Sequence, residues 1–329
     1  MSNSLFVTAF FCVALLRAQS ALQFYEAMEP HMGTMFQIKL YAADRQSAKT
    51  AFQRAFARVA ELDNELSDYK PDSELNLAAK AAVMHPVHVS DDLVTVLIAS
   101  QKMSEETGGA FDVTVGPLTK LWRQARKENR VPTSEAIHRA QQKCGYRKLH
   151  VDPAAQTITV DYPDMQLDLG AIAKGYGADE ALKVITKLGI QSALVAASGD
   201  LAFSDPPPSQ LGWKIGVDSP DRVLLLANAA VSTSGPSEQY LESSGKRYSH
   251  IIDPSTGMGL VNDITVTTVS RCGLLADPAA TAVSVLGCEK GMAFIEKHSD
   301  LAAFISENIN GQLHSLESTQ FKKLNAITR

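Results

Sequence analysis

Between Tyr248 and Thr281 the sequence reads YSHIIDPSTGMG, then the apolar run ITVTTVS, then LLADPAAT. The last of these places a carboxylate, Asp277, four residues before a hydroxyl, Thr281, and residues four apart share one helical face. Two oxygens aligned in this way make a hard-donor pair of the kind Mg²⁺ accepts when phosphate and water complete its octahedron. A plainer reading stands beside it: Asp277 before Pro278 has the form of an N-cap with proline at the first helical position, and Thr281 is then an ordinary helix residue. His250, at a strand end before a turn, offers an imidazole that titrates near neutrality, although a single histidine there can equally be structural.

A second candidate stretch is DLGAIAKGYG at 168–177. Its Gly170 to Gly175 segment superficially resembles a P-loop. Lys174 precedes the second glycine and no Ser or Thr follows, which excludes the nucleoside-triphosphatase reading. What remains is glycine beside a helix N-terminus, where free N–H groups attract anions, with Lys174 one turn in. In the bland alternative Asp168 only caps or precedes the helix and Lys174 is solvated. Tyr69, near Pro71, and Phe111, in AFD, could stack on a flat ring or simply pack in the core.

The elements that must position these groups follow from periodicity. FQIKLY reads as a strand, and Ser47 as the cap of a helix whose apolar residues Phe52, Phe56, Val59, Leu62 and Leu66 step by three and four. LSDYKPDSELNLAA reads as loop around Pro71-Asp72. Ser90 or Asp91 opens a helix with Val94, Leu97 and Ile98 on its buried side, ended by Gly108-Gly109. AFDVTVGPLTKLW reads as a short strand broken by Gly116-Pro117, followed by a helix from Thr133 to Cys144. RKLHVD and TITVDYP form a hairpin, and a helix runs from about Ala173 to Leu188. Strands dominate thereafter, before two short helices and a closing hairpin around Asn308-Ile-Asn-Gly. Helices and strands come in blocks, which predicts an α+β fold with mostly antiparallel sheet. No repeat or composition break marks a domain boundary.

The 329 residues suffice for a sizeable core, and 45% apolar with 20% charged residues is the composition of a globular chain. A net charge of −5 with no basic run argues against a nucleic-acid partner. Leu5 to Leu16 is a twelve-residue apolar run, short of the roughly twenty residues of a bilayer span. With Ala18-Gln19-Ser20 as a small-x-small site it predicts a secretory leader over 1–20 and a mature domain over 21–329. MSNS carries no Lys or Arg, so a buried N-terminal helix or an uncleaved anchor is the alternative. Phe10-Phe11 are too bulky for Cys12 to be a lipidation site. Beyond the leader only Cys144, Cys272 and Cys288 remain, an odd set without a CxxC pair. Packed thiols are expected, and one bridge would be possible in an oxidising compartment.

Seven motifs occur together: MGT at 32–34, SDYKPDSELN at 67–76, TGGAFDVTVGPL at 107–118, DLGAIAKGYGAD at 168–179, TSG at 233–235, YSHIIDPSTG at 248–257 and LADPAATAVSVLG at 275–287. In type and order they resemble the ApbE family, the FAD:protein FMN transferases. The resemblance spans Met32 to Gly287. It implies a fold of antiparallel sheets and packed helices with the flavin site in a crevice between sub-structures. It implies that FAD is the substrate, contacted by Met32, Tyr69, Ala110, Phe111, Asp112, Asp168, Lys174 and Ile251. Mg²⁺ is expected on Asp277, Thr281 and the Ala171 carbonyl, with His250 catalytic. The implied reaction moves FMN to a Ser/Thr hydroxyl of an acceptor, a membrane redox subunit or periplasmic flavoprotein, and releases AMP. With the leader, it implies an exported enzyme, periplasmic or held at the inner membrane. An FAD pyrophosphatase and a non-catalytic FAD binder are the competing readings. Three places depart from the pattern: Ala280 stands where some members carry a second aspartate, which predicts weaker Mg²⁺ binding; Pro236 follows TSG; and Ala197-Ser198-Gly199-Asp200 replaces a glycine pair.

Overall fold

The computed structural model describes residues 21–218, 222–235 and 239–328. The expected leader and Pro236 lie outside the described residues. Strands β1 (Gln23–His31) and β2 (Thr34–Ala42) form a hairpin closed by Met32 and Gly33, whose φ angles of 49° and 72° match the right-handed twist of the strands. Helix α1 (Arg45–Leu66) follows, and its cap is Asp44 and not Ser47: the Asp44 carboxylate accepts from the Ser47 N–H at 2.8 Å and from its hydroxyl. An extended carboxylate three residues ahead reaches the free amide that Ser47 itself cannot cap.

The segment read as loop contains helix α2 (Glu74–Ala81), because the Pro71 turn is over by Ser73, which caps at 3.2 Å and lets Leu75, Ala78 and Ala79 bury. After β3 (Val87–His88), helix α3 (Asp91–Glu106) starts at Ser90 as expected. Val94 and Leu97 are buried, but Ile98 is 40% exposed, since the buried seam runs through Leu93, Leu97 and Ser100. AFDVTVGPLTKLW is not strand. Asp112 caps a short 3₁₀ turn at 113–115 and helix α4 (Gly116–Glu128) begins at once, Pro117 lying in the first turn where no N–H is needed.

Helix α5 (Ser134–Gln141), the β4 (Leu149–Asp152) and β5 (Thr157–Val160) hairpin and helix α6 (Ala173–Lys187) fall where the periodicity puts them. Then come β6 (Ser192–Ala197), β7 (Asp200–Phe203), β8 (Trp213–Gly216), β9 (Arg222–Leu226), β10 (Ala229–Ser234), β11 (Tyr240–Ser243), β12 (Lys246–Ser249) and β13 (Ile264–Ser270). Helix α7 (Gly273–Ile295), β14 (Ala302–Ile309), β15 (Gln312–Glu317) and β16 (Ala326–Thr328) complete the chain. The two short helices expected near the end are one path interrupted at Gly287, whose φ of 77° and ψ of 174° are not helical.

One eight-stranded sheet, in the order β1-β2-β6-β7-β10-β13-β14-β15, carries the molecule, and every pairing in it is antiparallel. Successive residues face opposite sides. Val195 therefore packs with Phe36, Ile38 and the α1 and α6 side chains, whereas Leu194 packs with Phe203, Trp213 and Phe304 under β8 and β9. A third apolar cluster joins α2, α3 and α7 to β13 and β14. The α+β, antiparallel reading holds. No disulfide links Cys144, Cys272 and Cys288.

Candidate functional site

Two helices meet at the site with no side chains between them. A Cβ placed on Gly175 would lie 2.4 Å from the Gly273 carbonyl oxygen, and one on Gly273 would lie 2.4 Å from that of Gly175. The start of α7 is fixed by α6: the Asp179 carboxylate accepts from the Gly273 and Leu274 N–H groups at 2.8 and 2.9 Å. The helix thus begins four residues before Asp277, which is consequently not its cap. Pro278 sits inside the helix, and the Asp277 side chain is released for another use.

That use is visible. The Gly175 N–H, which in a regular helix would bond to the Ala171 carbonyl, donates instead to Asp277 Oδ2 at 3.1 Å. Lys174 Nζ lies 2.8 Å from Asp200 Oδ2 and 3.5 Å from Asp277 Oδ2, and donates to the Gly170 carbonyl at 3.0 Å. Burial works against the Lys174 ammonium, but the two carboxylates outweigh it and hold it above its ordinary range. Asp277 moves up, through burial first and the Asp200 charge second, with Lys174 only partly compensating. Lys174 is therefore not the solvated side chain of the bland reading.

Around this centre is a cavity of about 650 Å³. All twelve residues singled out in the sequence line it. Met32 comes from the β1–β2 turn, its sulfur 3.5 Å from where a Cβ on Gly177 would be. Tyr69 is 64% exposed, with the Arg123 guanidinium 3.9 Å over its ring. Phe111 is 3% exposed and belongs to the core as much as to the cavity wall. The Asp112 carboxylate is engaged in fold-building, taking Thr114 N–H at 2.8 Å, the Thr114 hydroxyl at 2.6 Å and Tyr146 N–H at 2.9 Å. Its effect is to fix the turn that presents Ala110 and Phe111. Asp168 accepts from Gly170 N–H at 2.8 Å and from Arg123 at 3.2 Å. His250 and Ile251 follow β12, the His250 N–H donating to the Gln239 carbonyl at 2.9 Å.

Two residues escaped the sequence reading. Arg123 bridges Asp68 and Asp168, so it pins the Tyr69 loop to the α6 entry. Burial and then the Asp168 charge push Asp68 upward, and Arg123 opposes both. In the sequence it falls in the polar stretch after Trp122, which shows no helical face. Asp200 was noticed only as a departure from a glycine pair. It is 3% exposed, accepts from the Ser232 hydroxyl at 2.5 Å and lies 2.8 Å from Lys174 Nζ. A buried acid follows from no local pattern.

Among the described residues no group of three His, Cys, Asp or Glu is gathered for a metal. A hard cation needs only oxygens, however. Asp277 Oδ1, the Thr281 hydroxyl and the Ala171 carbonyl take or give no hydrogen bond among the described residues, and all three residues line the cavity. A buried carboxylate short of positive charge beside two unclaimed neutral oxygens fits Mg²⁺. Ala280, by contrast, is fully buried in the apolar cluster and lines nothing.

The fold and the cavity define an antiparallel α+β protein in which separate elements bring acidic, basic, hydroxyl and aromatic side chains to one chamber. The chain belongs to the ApbE family, whose sequence model matches residues 32–305. The FAD:protein FMN transferase of Vibrio cholerae is 31% identical over 308 residues, covering 89% of this chain and 90% of that protein. The FAD:protein FMN transferase of Escherichia coli is 29% identical over 303 residues, covering 88% and 86%. Among solved structures, the flavin transferase ApbE from Vibrio cholerae superposes with a TM-score of 0.84 at 29% identity, covering 92% of this chain and 99% of that one. The Pseudomonas stutzeri flavinyl transferase ApbE in its apo form gives 0.83 at 29% identity, covering 92% and 97%.

Proposed function

We propose that this chain transfers FMN from FAD to an acceptor protein, forming a phosphoester with a Ser or Thr hydroxyl and releasing AMP. The observation that carries the reading is the convergence of Tyr69, Lys174, His250, Asp277 and Thr281, from four separate parts of the chain, on one cavity. The open face of the Tyr69 ring is available to a flat ring system, with Arg123 already on the other. Met32, Phe111 and Ile251 exclude water from the flavin side. In the transfer a bond forms between the acceptor oxygen and the FMN phosphorus, and the bond from that phosphorus to the bridging oxygen breaks. The bridging oxygen leaves with AMP. His250 takes the hydroxyl proton, help that is typically worth about 10²–10⁴ in rate. Asp277, Thr281 and the Ala171 carbonyl would hold Mg²⁺, which when bound supplies Lewis-acid charge to the pyrophosphate oxygens.

The apolar run at 5–16 and Ala18-Gln19-Ser20 support export, with the acceptor then met outside the cytoplasm. Incubation with FAD, Mg²⁺ and a candidate acceptor tests the activity. A covalently fluorescent acceptor with stoichiometric AMP is expected. Free FMN and AMP without labelling would make the protein a hydrolase, and intact FAD would make it a binder.

A further inference from the structure

The cavity has a neighbour. A groove of about 960 Å³ runs between α4 and α5, and Tyr69, Arg123, Arg126 and Gln239 line both spaces. Among the described residues six cations face the groove, Lys120, Arg123, Arg126, Lys127, Arg139 and Lys143, against one carboxylate, Asp164. Three already have partners: Arg123 holds Asp68 and Asp168, Arg139 holds Glu135, and Lys143 lies 3.3 Å from Asp164. Lys120, Arg126 and Lys127, on α4, pair with no carboxylate among the described residues. In a chain of net charge −5 this is a local reversal of sign. It also repels itself, since burial and the adjacent Arg123 charge draw Arg126 below its ordinary range.

The groove ends beside the candidate proton acceptor. Gln239 receives Arg126 Nη2 on its side-chain oxygen at 3.5 Å and the His250 N–H on its backbone carbonyl at 2.9 Å. An anionic segment lying on Arg126 is thereby one residue from His250. We propose that this groove docks an acidic segment of the acceptor protein and leads the adjoining hydroxyl into the cavity. The proposal rests on the transferase reading, because only a macromolecular acceptor needs a dock. A concave groove that opens into the cavity suits an extended peptide better than the plane of a bilayer.

The test uses the mature chain and short fluorescent peptides with one Ser in a Gly/Ala centre, flanked by Asp/Glu, by Gln or by Lys. Anisotropy is read with wild type and with Lys120→Glu/Lys127→Glu; Lys120→Gln/Lys127→Gln is the milder control. Both positions are exposed and take no part in the proposed chemistry. The acidic peptide should bind at least about tenfold more tightly than the Gln peptide at low salt, with the preference fading as salt screens it. The charge-reversed variant should lose that preference while its FAD affinity stays unchanged. Equal binding of the peptides, a preference that survives charge reversal, or tighter binding to phosphatidylglycerol vesicles than to the acidic peptide overturns the proposal. FMN addition to the peptides, read by mass in the same samples, tests the transferase reading separately: no AMP release by wild type counts against that reading, whatever the peptide preference.

Discussion

Gly175→Ala sets two effects of opposite sign against each other. Alanine for glycine inside a helix ordinarily stabilises by about 1 kcal/mol, and Gly175 is in the first turn of α6. Here the new methyl carbon would fall 2.4 Å from the Gly273 oxygen, 2.7 Å from its carbonyl carbon and 2.8 Å from Asp277 Cβ. None of these atoms is the end of a flexible side chain. Carbon contacts are comfortable from about 3.5 Å, so the first turn of α7 has to retreat by roughly 1 Å. Overpacking of that kind costs about 1–3 kcal/mol, and the retreat also stretches the bond from the Gly175 N–H to Asp277. The net sign is destabilising. In a chain of this size it should lower Tm by a few degrees, at about 2–4 °C per kcal/mol or somewhat less.

The functional consequence is the sharper one. Ala171 lies on the α6 side of the crossing and Asp277 with Thr281 on the α7 side, so separating the helices separates the oxygens proposed to hold the cation. Calorimetry should show the lower Tm, and the Mg²⁺ concentration giving half-maximal AMP release from FAD should rise. Gly273→Ala makes the mirror-image clash, again 2.4 Å from carbonyl oxygen, and the double variant should cost less than the two single changes together because one displacement relieves both. A Gly175→Ala protein that is as stable as wild type and has its Mg²⁺ requirement would refute the idea that backbone contact sets the site.

His250→Ala should keep FAD affinity and lose about 10²–10⁴ of the transfer rate; full activity removes it from the mechanism. Asp179→Ala leaves the Gly273 and Leu274 amides without their acceptor and should cost about 1–3 kcal/mol in urea melts, with Asn restoring part of it; an unchanged midpoint sinks the capping role. The Glu65 carboxyl is pushed up to about 7 by burial, then by the Asp92 and Glu74 charges. A carboxyl with a folded pKa above its unfolded one contributes fully below the ordinary carboxylate range and loses that contribution as pH climbs to about 7. Glu65→Gln should therefore gain stability relative to wild type between about pH 4.5 and about pH 7, and a constant difference across that window would contradict the assignment. Ala280→Asp places a carboxylate in an apolar cluster, so a lower Tm is expected, partly restored by Mg²⁺ if the new group reaches the cation. A higher Mg²⁺ affinity with no loss of Tm would mean that the helix turns that position toward the cavity.

What the sequence made legible was whatever repeats locally or has a fixed order along the chain. α3, α6, the β4–β5 hairpin and the β14–β15 hairpin follow from period and caps. The twelve candidate residues follow from motif order, and the cavity collects them. The misses have one physical character. α4 was read as strand because VTV alternates and Gly-Pro looks like a break, whereas the Asp112 cap that starts the helical turn is itself anchored by the distant Tyr146 amide. Asp277 was open to reading as an N-cap because the real acceptor for the α7 amides, Asp179, is 94 residues away from Gly273. Arg123 and Asp200 act through partners far along the chain. Tertiary hydrogen bonds of buried acids leave no periodic trace.

Those same misses change what Lys174 can do. The sequence suggested a positive point charge at a helix start, free to meet a phosphate. In the structure its ammonium lies between Asp200 and Asp277. A pyrophosphate entering beside them would find the ammonium already engaged by the carboxylates that hold it above its ordinary range. In the proposed function a further cation at the unclaimed Asp277 oxygen would supply the positive charge that Lys174 does not. The local positive excess lies instead at the rim, on Lys120, Arg126 and Lys127. In the proposed function, an acidic floor that takes a divalent ion and a positive rim outside it would give the two reactants separate entrances. Under the proposed function the dinucleotide would be held together with its metal, and a protein acceptor would be selected by its own charge before its hydroxyl reaches His250.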